Sequence, residues 1–469
     1  MTEVADPSSA ARPARAPRRP AAALPVTFLD ATFVEGLVDE RGEPGWLRED
    51  RLAAVELFAS LEVESNRLYT PYLDLRAMSQ EGVAPYVGTA TTATGAAGAP
   101  PLADEVAGLI DIHEDGVASL ALADEARGAG VRLLTLAELI RTDEPLARSL
   151  LAEGGLIPAD EKLGQLSRAA WSQGVVLHVP AGVRVARPIV LRWAMGAPRA
   201  LVSRTLIVLD EGAEASVVEE LVISDGTIAG QQALLSASTE IRLGAHARLA
   251  MASLQELGPD QIVFQQRLAQ IGEAADLRWA LAQLGGRLVR SRVDNVLAGD
   301  RSTVEQVEIV FGSEDQLHDL TSYTRHQGRD TTGQLLAKGV LLDRARTYMK
   351  GLISIEKTAI GTDSYLGEFG MNLSKGSRAV AIPSLEIDQP DCRRAMHSSS
   401  VGPIDETQLF YLESRGIPPD EARKFIVLGF LEPVVARVPL DDARDRLRDA
   451  LEAKWAAGSG ADGGSATAA

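Results

Sequence analysis

Cysteine is almost missing from this chain: Cys392 is the only one in 469 residues. That excludes an internal disulfide framework, and it excludes a zinc or iron–sulfur centre built only from this chain's thiolates, which takes about four. A reducing, intracellular compartment fits such a composition, and a cytoplasmic location is the expectation. Aromatic residues are scarce at 4%, which disfavours a sugar-binding groove with its aromatic platforms. Basic charge is in deficit, with 47 Lys plus Arg against 65 Asp plus Glu and a net charge of −18. Such a chain gains nothing from counterion release, so nucleic acid is not expected as a partner. No apolar run approaches the roughly 18 residues of a membrane helix, and the first residues lack the apolar core of a signal peptide. No membrane association is expected.

Nucleotide and hydrolytic signatures are also lacking. Nothing matches G-x-x-x-x-G-K-[ST], and the Gly-rich stretch PYVGTATTATGAAGAPP from Pro85 has no lysine to reach a phosphate, so it reads as a plain loop. There is no G-x-S-x-G elbow, and HEDG at His113 lacks the second histidine of a zincin. His113, His178, His246, His318 and His326 read as hydrogen-bonded structural residues.

What is present falls into five stretches. Residues 1–25, rich in Ala, Pro and Arg, read as a disordered tail, and residues 457–469 as a flexible end. Residues 26–170 read as a mixed, mainly helical domain. In it EPGWLREDRLAAVELFASLE puts Leu52, Val55, Phe58 and Leu61 at threefold spacing, and GLIDIH and VRLLTL alternate with the helical EPLARSLLAEG and ADEKLGQLSRAAW. Over residues 171–398 helix signals vanish and short β-rich runs such as VVLHV, RTLIVL and STVEQVEIVF follow one another between turns. Gly182, Gly212 and Gly244, some thirty residues apart, suggest a coil-by-coil repeat, hence a parallel, right-handed β-helix. A sandwich would close in roughly 100 residues and favour Asn-Gly hairpins, which are missing.

Residues 399–456 read as a small helical module. Asp405 caps a helix with Gln408 three residues on, and Gly416 stops it. A second helix carries Ala422, Phe425, Ile426 and Gly429 on one face, and a third keeps Leu440, Ala443, Leu447 and Leu451 in register. Between β-helix and helices, PSLEIDQPDCRRAMHSSSVGPI holds Cys392 and His397, residue types that ligate iron and zinc. In one unbroken strand, residues five apart face opposite ways, so the two need not act together. A carbohydrate-active β-helix enzyme is the rival reading, on acid pairs such as Glu219 and Glu220, which alternation would send to opposite faces.

From about Glu43 to Val438 the chain resembles the SufB/SufD family of iron–sulfur cluster assembly. EPGWLREDRLAAVELF is similar to its N-terminal helix, WSQGVVLHVPAGVRVARPIVL to its entry into the β-helix, TTGQLLAKGVLLDRARTYMKGLISI to its central signature, and LEI through HSSSVGPIDETQLFYLESRGI to its C-terminal block. Ile387 stands where the SufB-like scaffold carries a cysteine, and His397 with Ser398 replaces its His-Glu pair, so the likeness is to the SufD side. The chain departs from many SufD relatives in one extra residue between Glu386 and His397, and in Ala395 where a cysteine is common. The resemblance implies a non-catalytic subunit of a SufBCD-type complex, partnered by a SufB-like scaffold and a SufC-like ABC-type ATPase, with sulfur from a cysteine desulfurase system. It implies no cofactor held stably by this chain alone, only transient iron or a cluster at the partner interface. His397 is the implied metal-site residue there, Cys392 a weaker one. Gln408, Tyr411, Arg415, Gly416 and Ala422 are the implied ATPase contact.

Overall fold

A computed structural model of the chain describes residues 24–63, 75, 78–88, 102, 105–224 and 227–462. The tail up to residue 23 and the Gly-rich loop beyond Gly88 lie outside the described residues. α1 (Ala31–Arg41) begins at Asp30, whose carboxylate accepts the Phe33 N–H at 2.8 Å. α2 (Gly45–Ser60) buries Leu47, Arg51, Ala54 and Phe58, so its inner face is rotated from the expected Leu52–Val55–Phe58–Leu61 stripe. Arg51 explains the rotation. Fully buried, it grips Glu43 through two bonds of 2.7 Å, donates to the Ala169 and Trp171 carbonyls at 2.9 and 3.1 Å, and lies 4.3 Å over the Trp171 ring. One side chain thus ties the N-terminal helices to the entrance of the solenoid.

Next come β1 (Gly108–His113), β2 (Gly116–Leu122), α3 (Asp124–Gly128), β3 (Arg132–Thr135), α4 (Leu136–Thr142), α5 (Glu144–Arg148) with a π-helical turn, and α6 (Lys162–Ala170). Sixteen strands then alternate between two sheets. One sheet takes β4 (Gln173–Val179), β6 (Ala200–Leu209), β8 (Ala233–Leu243), β10 (Gln261–Ile271), β12 (Leu288–Leu297), β14 (Leu317–His326), β16 (Arg346–Ile355) and β18 (Arg378–Ile387). The other takes β5 (Ile189–Met195), β7 (Glu214–Ile223), β9 (Arg248–Gln255), β11 (Asp276–Gln283), β13 (Thr303–Gly312), β15 (Thr332–Leu341), β17 (Asp363–Asn372) and β19 (Arg394–Pro403). Neighbours in both runs are parallel, one strand of each sheet per coil, which makes the expected β-solenoid of eight coils. β3 extends the first sheet antiparallel to β4, while β1 pairs parallel with β5 and carries β2 outside it. The sheets therefore begin at Gly108, ahead of the start expected at residue 171.

The thirty-residue rhythm has a backbone cause. One turn of successive coils passes through the left-handed region at Gly182, Gly212, His246, Ala274, Arg301, Asp330 and Gly361, with φ between 52° and 75°. The N–H of each donates to the next coil, as Gly212 does to Ala245 O at 2.8 Å and Ala274 to Asp300 O at 2.8 Å. Gly244 is not in this column: its equivalent is His246, and Gly244 is small because a Cβ there would lie 2.8 Å from the Glu211 nitrogen of the preceding coil.

Three helices close the fold: α7 (Glu406–Ser414), α8 (Pro419–Val435) and α9 (Asp441–Asp462). Val427, Leu431, Val434 and Val435 of α8, with Ala443, Leu447 and Leu451 of α9, pack on Ala252, Ala280, Val307, Ile309 and Leu336 of the second sheet's outer face. Of the face read as Ala422, Phe425, Ile426 and Gly429, Ala422 is fully buried while Phe425 is 55% exposed. α9 continues to Asp462, into the stretch read as a flexible end, with Gly458 close against Leu342. A Cβ on Gly212 would meet nothing nearer than 3.9 Å, so only its φ of 66° penalises a side chain there. Gly212→Ala is expected to lower stability by about 1 kcal/mol, and Ala274→Gly to raise it by a smaller amount. Urea unfolding midpoints check both, and unchanged midpoints would show that this turn is not under conformational strain.

Candidate functional site

In a parallel solenoid, residues paired in register stack one above another, so the inward positions of each coil lie over those of the coil before. β18 sets Ala381 on Met349, Pro383 on Gly351, Leu385 on Ile353 and Ile387 on Ile355. β19 sets Ala395 on Ser364, His397 on Leu366 and Ser399 on Glu368. Met349, Ile353, Ile355, Leu366 and Glu368 are all buried, yet among the described residues no strand pairs beyond the last coil. Its interior is therefore open, and both end strands carry unpaired backbone edges.

His397 sits in the middle of this opening, exposed, in register with the buried Leu366. Beside it Ser398 shares a 2.6 Å hydrogen bond with the Tyr365 hydroxyl, and Arg394 donates to Asp363 at 2.8 Å, which holds β19 in register. Cys392 lies in the turn before β19, half-buried against Leu335, Ile353, Ile355, Ala359 and Leu366. The premise of one strand through both residues is not met. Among the described residues no three His, Cys, Asp or Glu side chains converge as a metal site, so any metal at His397 needs ligands from elsewhere.

The other expected site residues lie on the helical module that follows directly. Asp405 accepts the N–H groups of Thr407 and Gln408 at 2.8 and 3.3 Å, starting α7. Gly416 ends it at φ 85°, its N–H on Glu413 O at 2.9 Å. Gln408, Tyr411, Arg415 and Gly416 are exposed, and the Arg415 guanidinium stands 5.2 Å over the Tyr411 ring. Ala422 is fully buried and presents no surface.

Two residues on this module that were given no contact role from the sequence are Phe410 and Phe425, exposed by 71% and 55%. Of eight large hydrophobics exposed among the described residues, Phe410, Tyr411 and Phe425 gather on α7 and α8, and Ile387, Met396 and Val401 on the open coil. Six of eight in two places, next to each other in sequence, mark contact surfaces rather than scattered surface apolarity. The signal was in FYLESRG and RKF, but helical periodicity only grouped Phe425 with Ala422, Ile426 and Gly429 on one face.

The remaining candidates are internal. His326 bonds Thr331 and Ser364 hydroxyls at 2.8 and 3.0 Å, and burial lowers its pKa to about 4. Burial, with Lys454 nearby, lowers His318 to about 3. Both are neutral packing residues. Glu219 faces inward onto Arg267 at 2.8 Å, whereas Glu220 faces outward onto Arg192 at 2.7 Å and onto Arg446. They form no catalytic carboxylate pair.

Comparison with known proteins agrees with this architecture. A family model described as SUF system FeS cluster assembly, SufBD core domain, matches residues 193–430. The iron–sulfur cluster assembly protein SufD of Bacillus subtilis is 27% identical over 438 residues, covering 91% of this chain and 98% of that protein. A SufBD family protein of Mycobacterium bovis is 28% identical over 342 residues, 70% of this chain and 83% of the relative. One from Staphylococcus epidermidis is 26% identical over 340 residues, 72% of each. With the solenoid and the family match in agreement, this chain belongs to the SufB/SufD family of iron–sulfur cluster assembly proteins and is SufD-like within it.

Proposed function

We propose that this protein is the SufD-like, non-catalytic subunit of a SufBCD-type assembly acting in the cytoplasm. Its open last coil stacks on the equivalent coil of a SufB-like scaffold, so that two solenoids share one interior. A SufC-like ABC-type ATPase docks on the exposed α7 and its junction with α8. A cysteine desulfurase system delivers sulfur. The observation that carries the reading is the uncovered coil itself: an apolar interior in register with a buried core, bounded by two unpaired parallel edges. Such an edge accepts a further strand through backbone hydrogen bonds, while Ile387, Met396 and Val401 supply apolar area.

Iron or a nascent cluster is the cargo, held transiently at the junction. His397 is this chain's contribution there, and the thiolates come from the scaffold, since Cys392 is half-buried and its chain has no other. ATP-driven movement of the ATPases strains the paired coils and opens the junction to iron or sulfur.

Co-expression with the cognate scaffold and ATPase tests the assignment, and failure of this chain to co-purify with either would remove it. Ile387→Asp places a charge in the proposed junction and is expected to cut scaffold recovery at least tenfold, which corresponds to about 1.4 kcal/mol, with ATPase binding retained. The Tyr411→Ser, Phe425→Ser double variant is expected to do the reverse. Because both side chains are exposed, its thermal stability should stay within about 0.5 kcal/mol of the parent. Loss of stability instead would make them core residues. His397→Ala is expected to leave the complex intact and to lower cluster formation in cells. Unchanged cluster formation would end the metal role while leaving the subunit assignment standing.

A further inference from the structure

Nine carboxylates of the described residues are buried, and seven have evident counter-charges or donors. Asp50 meets Arg168, Glu161 meets Arg292, Glu219 meets Arg267, Glu220 meets Arg192, Glu240 meets Arg204, and Asp319 meets Lys350. Glu114 accepts the N–H groups of Gly196 and Ala197 at 2.6 and 2.9 Å. Glu308 and Glu368 are the exceptions. Among the described residues neither has an ion pair, and the Glu308 Oε1 atom is buried without a hydrogen-bond partner. Glu368 accepts only the Ile382 N–H, at 3.0 Å.

These two belong together. Register runs Glu308 to Ala337 to Glu368 along one inward column of the second sheet, with Ser399 of the last strand next. Two strand spacings, about 10 Å, separate their backbones, and Ala337 between them is too small to fill the gap. Both line one cavity of about 10 Å³, with Ala337, Gln306, Ser322 and Leu366 in its wall, which is room for about one water. On the facing sheet Gly351 lacks a side chain, and a Cβ there would lie 2.8 Å from Glu368 Oε1. The fold thus keeps space for two carboxyl groups, and the cation in the cavity wall, Lys350, is bonded to Asp319.

We propose that Glu308 and Glu368 form a proton-binding pair inside the solenoid, the two carboxyl groups sharing a proton across the cavity over Ala337. An isolated buried carboxylate is far costlier than its neutral acid, and two facing each other cannot both ionise. Burial pushes Glu308 up to about 7 against the pull of Arg267, and burial with the Glu308 charge pushes Glu368 up to about 8 against the Ile382 N–H. The two titrate as one coupled system.

The charged and titratable groups on the elements around the pair bond elsewhere, Arg267 only in part. Arg267 on β10 bonds Glu219 of β7 and Ser253 of β9 through Nη2, while its Nε and Nη1 are buried without partners and its charge pulls against the rise at Glu308. Lys350 of β16 bonds Asp319 of β14, which Arg290 of β12 also contacts. His326 of β14 bonds Thr331 and Ser364, and His318 bonds the Gly285 carbonyl. Lys338 of β15 donates to the Phe430 carbonyl of α8. His397 of β19 lies over Leu366, one inward position from Ser399.

A carboxyl whose folded pKa is raised stabilises the fold fully below its unfolded value of 4.5, and that contribution is lost as pH rises through 7 and 8. Each shared proton changes the folding equilibrium constant about tenfold per pH unit across that window. The test is infrared spectroscopy of the full chain at pH 7, reading the carbonyl stretch of protonated carboxylic acid. The proposal expects that band in the parent, its loss by pH 9, and its weakening in Glu308→Gln and Glu368→Gln. Absence of the band in the parent overturns the proposal without any variant having to fold. In urea titrations the parent should lose stability from pH 5 to 8 relative to the Glu308→Gln, Glu368→Gln double variant, and parallel curves would overturn it as well. A partner seated on the last coil would seclude the pair further and hold its proton more tightly. That consequence alone rests on the pairing proposed above, because the band of the isolated chain does not depend on any partner.

Discussion

In-register stacking of parallel coils is the constraint on which the rest of this structure depends. Each inward side chain sits on its counterpart one coil earlier, so one residue's environment is set by a residue about thirty positions away. Apolar columns propagate themselves, as in Ile353 and Ile355 beneath Leu385 and Ile387. The same rule guarantees an unfinished end. The first coil is covered by β1, β2, β3 and the N-terminal helices, clamped by Arg51, whereas among the described residues no strand covers the last coil.

Stacking also decides what a charged residue inside the sheets must do. Arg204 with Glu240 and Arg267 with Glu219 are ion pairs with both partners almost wholly inaccessible. Such pairs do not obviously stabilise relative to apolar replacements, but removing one member leaves a buried charge and costs about 3 to 5 kcal/mol. They fix which coil lies on which, since a slip of one coil would separate every pair. Glu308 and Glu368 have no ion pair among the described residues, and the proton-binding pair proposed above is how they would be buried.

Much of the fold was legible because short β-rich runs between turns, without helical periodicity, leave few architectures open. Less visible was the turn repeat. Three of its seven left-handed positions are Gly182, Gly212 and Gly361, but His246, Ala274, Arg301 and Asp330 occupy the others, where hydrogen bonds between coils hold a conformation their side chains do not favour. The inner carboxylates were hidden for a related reason. In VEQVEIVF alternation suggests one wet face, yet α8 and α9 bury the outer face of β13 and the solenoid buries its inner one. Period-2 patterning cannot rank two buried faces. The same limit left the exposure of Phe425 unread, since a helix packed on a sheet with apolar residues on its other side is apolar on both.

The placement of α7 gives the two exposed apolar surfaces a mechanical relation. Only Ile404 and Asp405 separate the end of β19 from the start of α7, and Ile404 is buried while Asp405 is spent on the helix N-terminus. α8 and α9, by contrast, are fastened to the sheet through Val427, Leu431, Val434 and Leu447, with Lys454 donating to Gln316 at 2.9 Å. A force on α7 and the head of α8 therefore meets a firm anchor on one side and an edge strand with a single sheet neighbour on the other. On the reading proposed above, the ATPase pulls on α7. The strand that yields first is then β19, which carries His397, and no rearrangement of the earlier coils is needed to alter the junction.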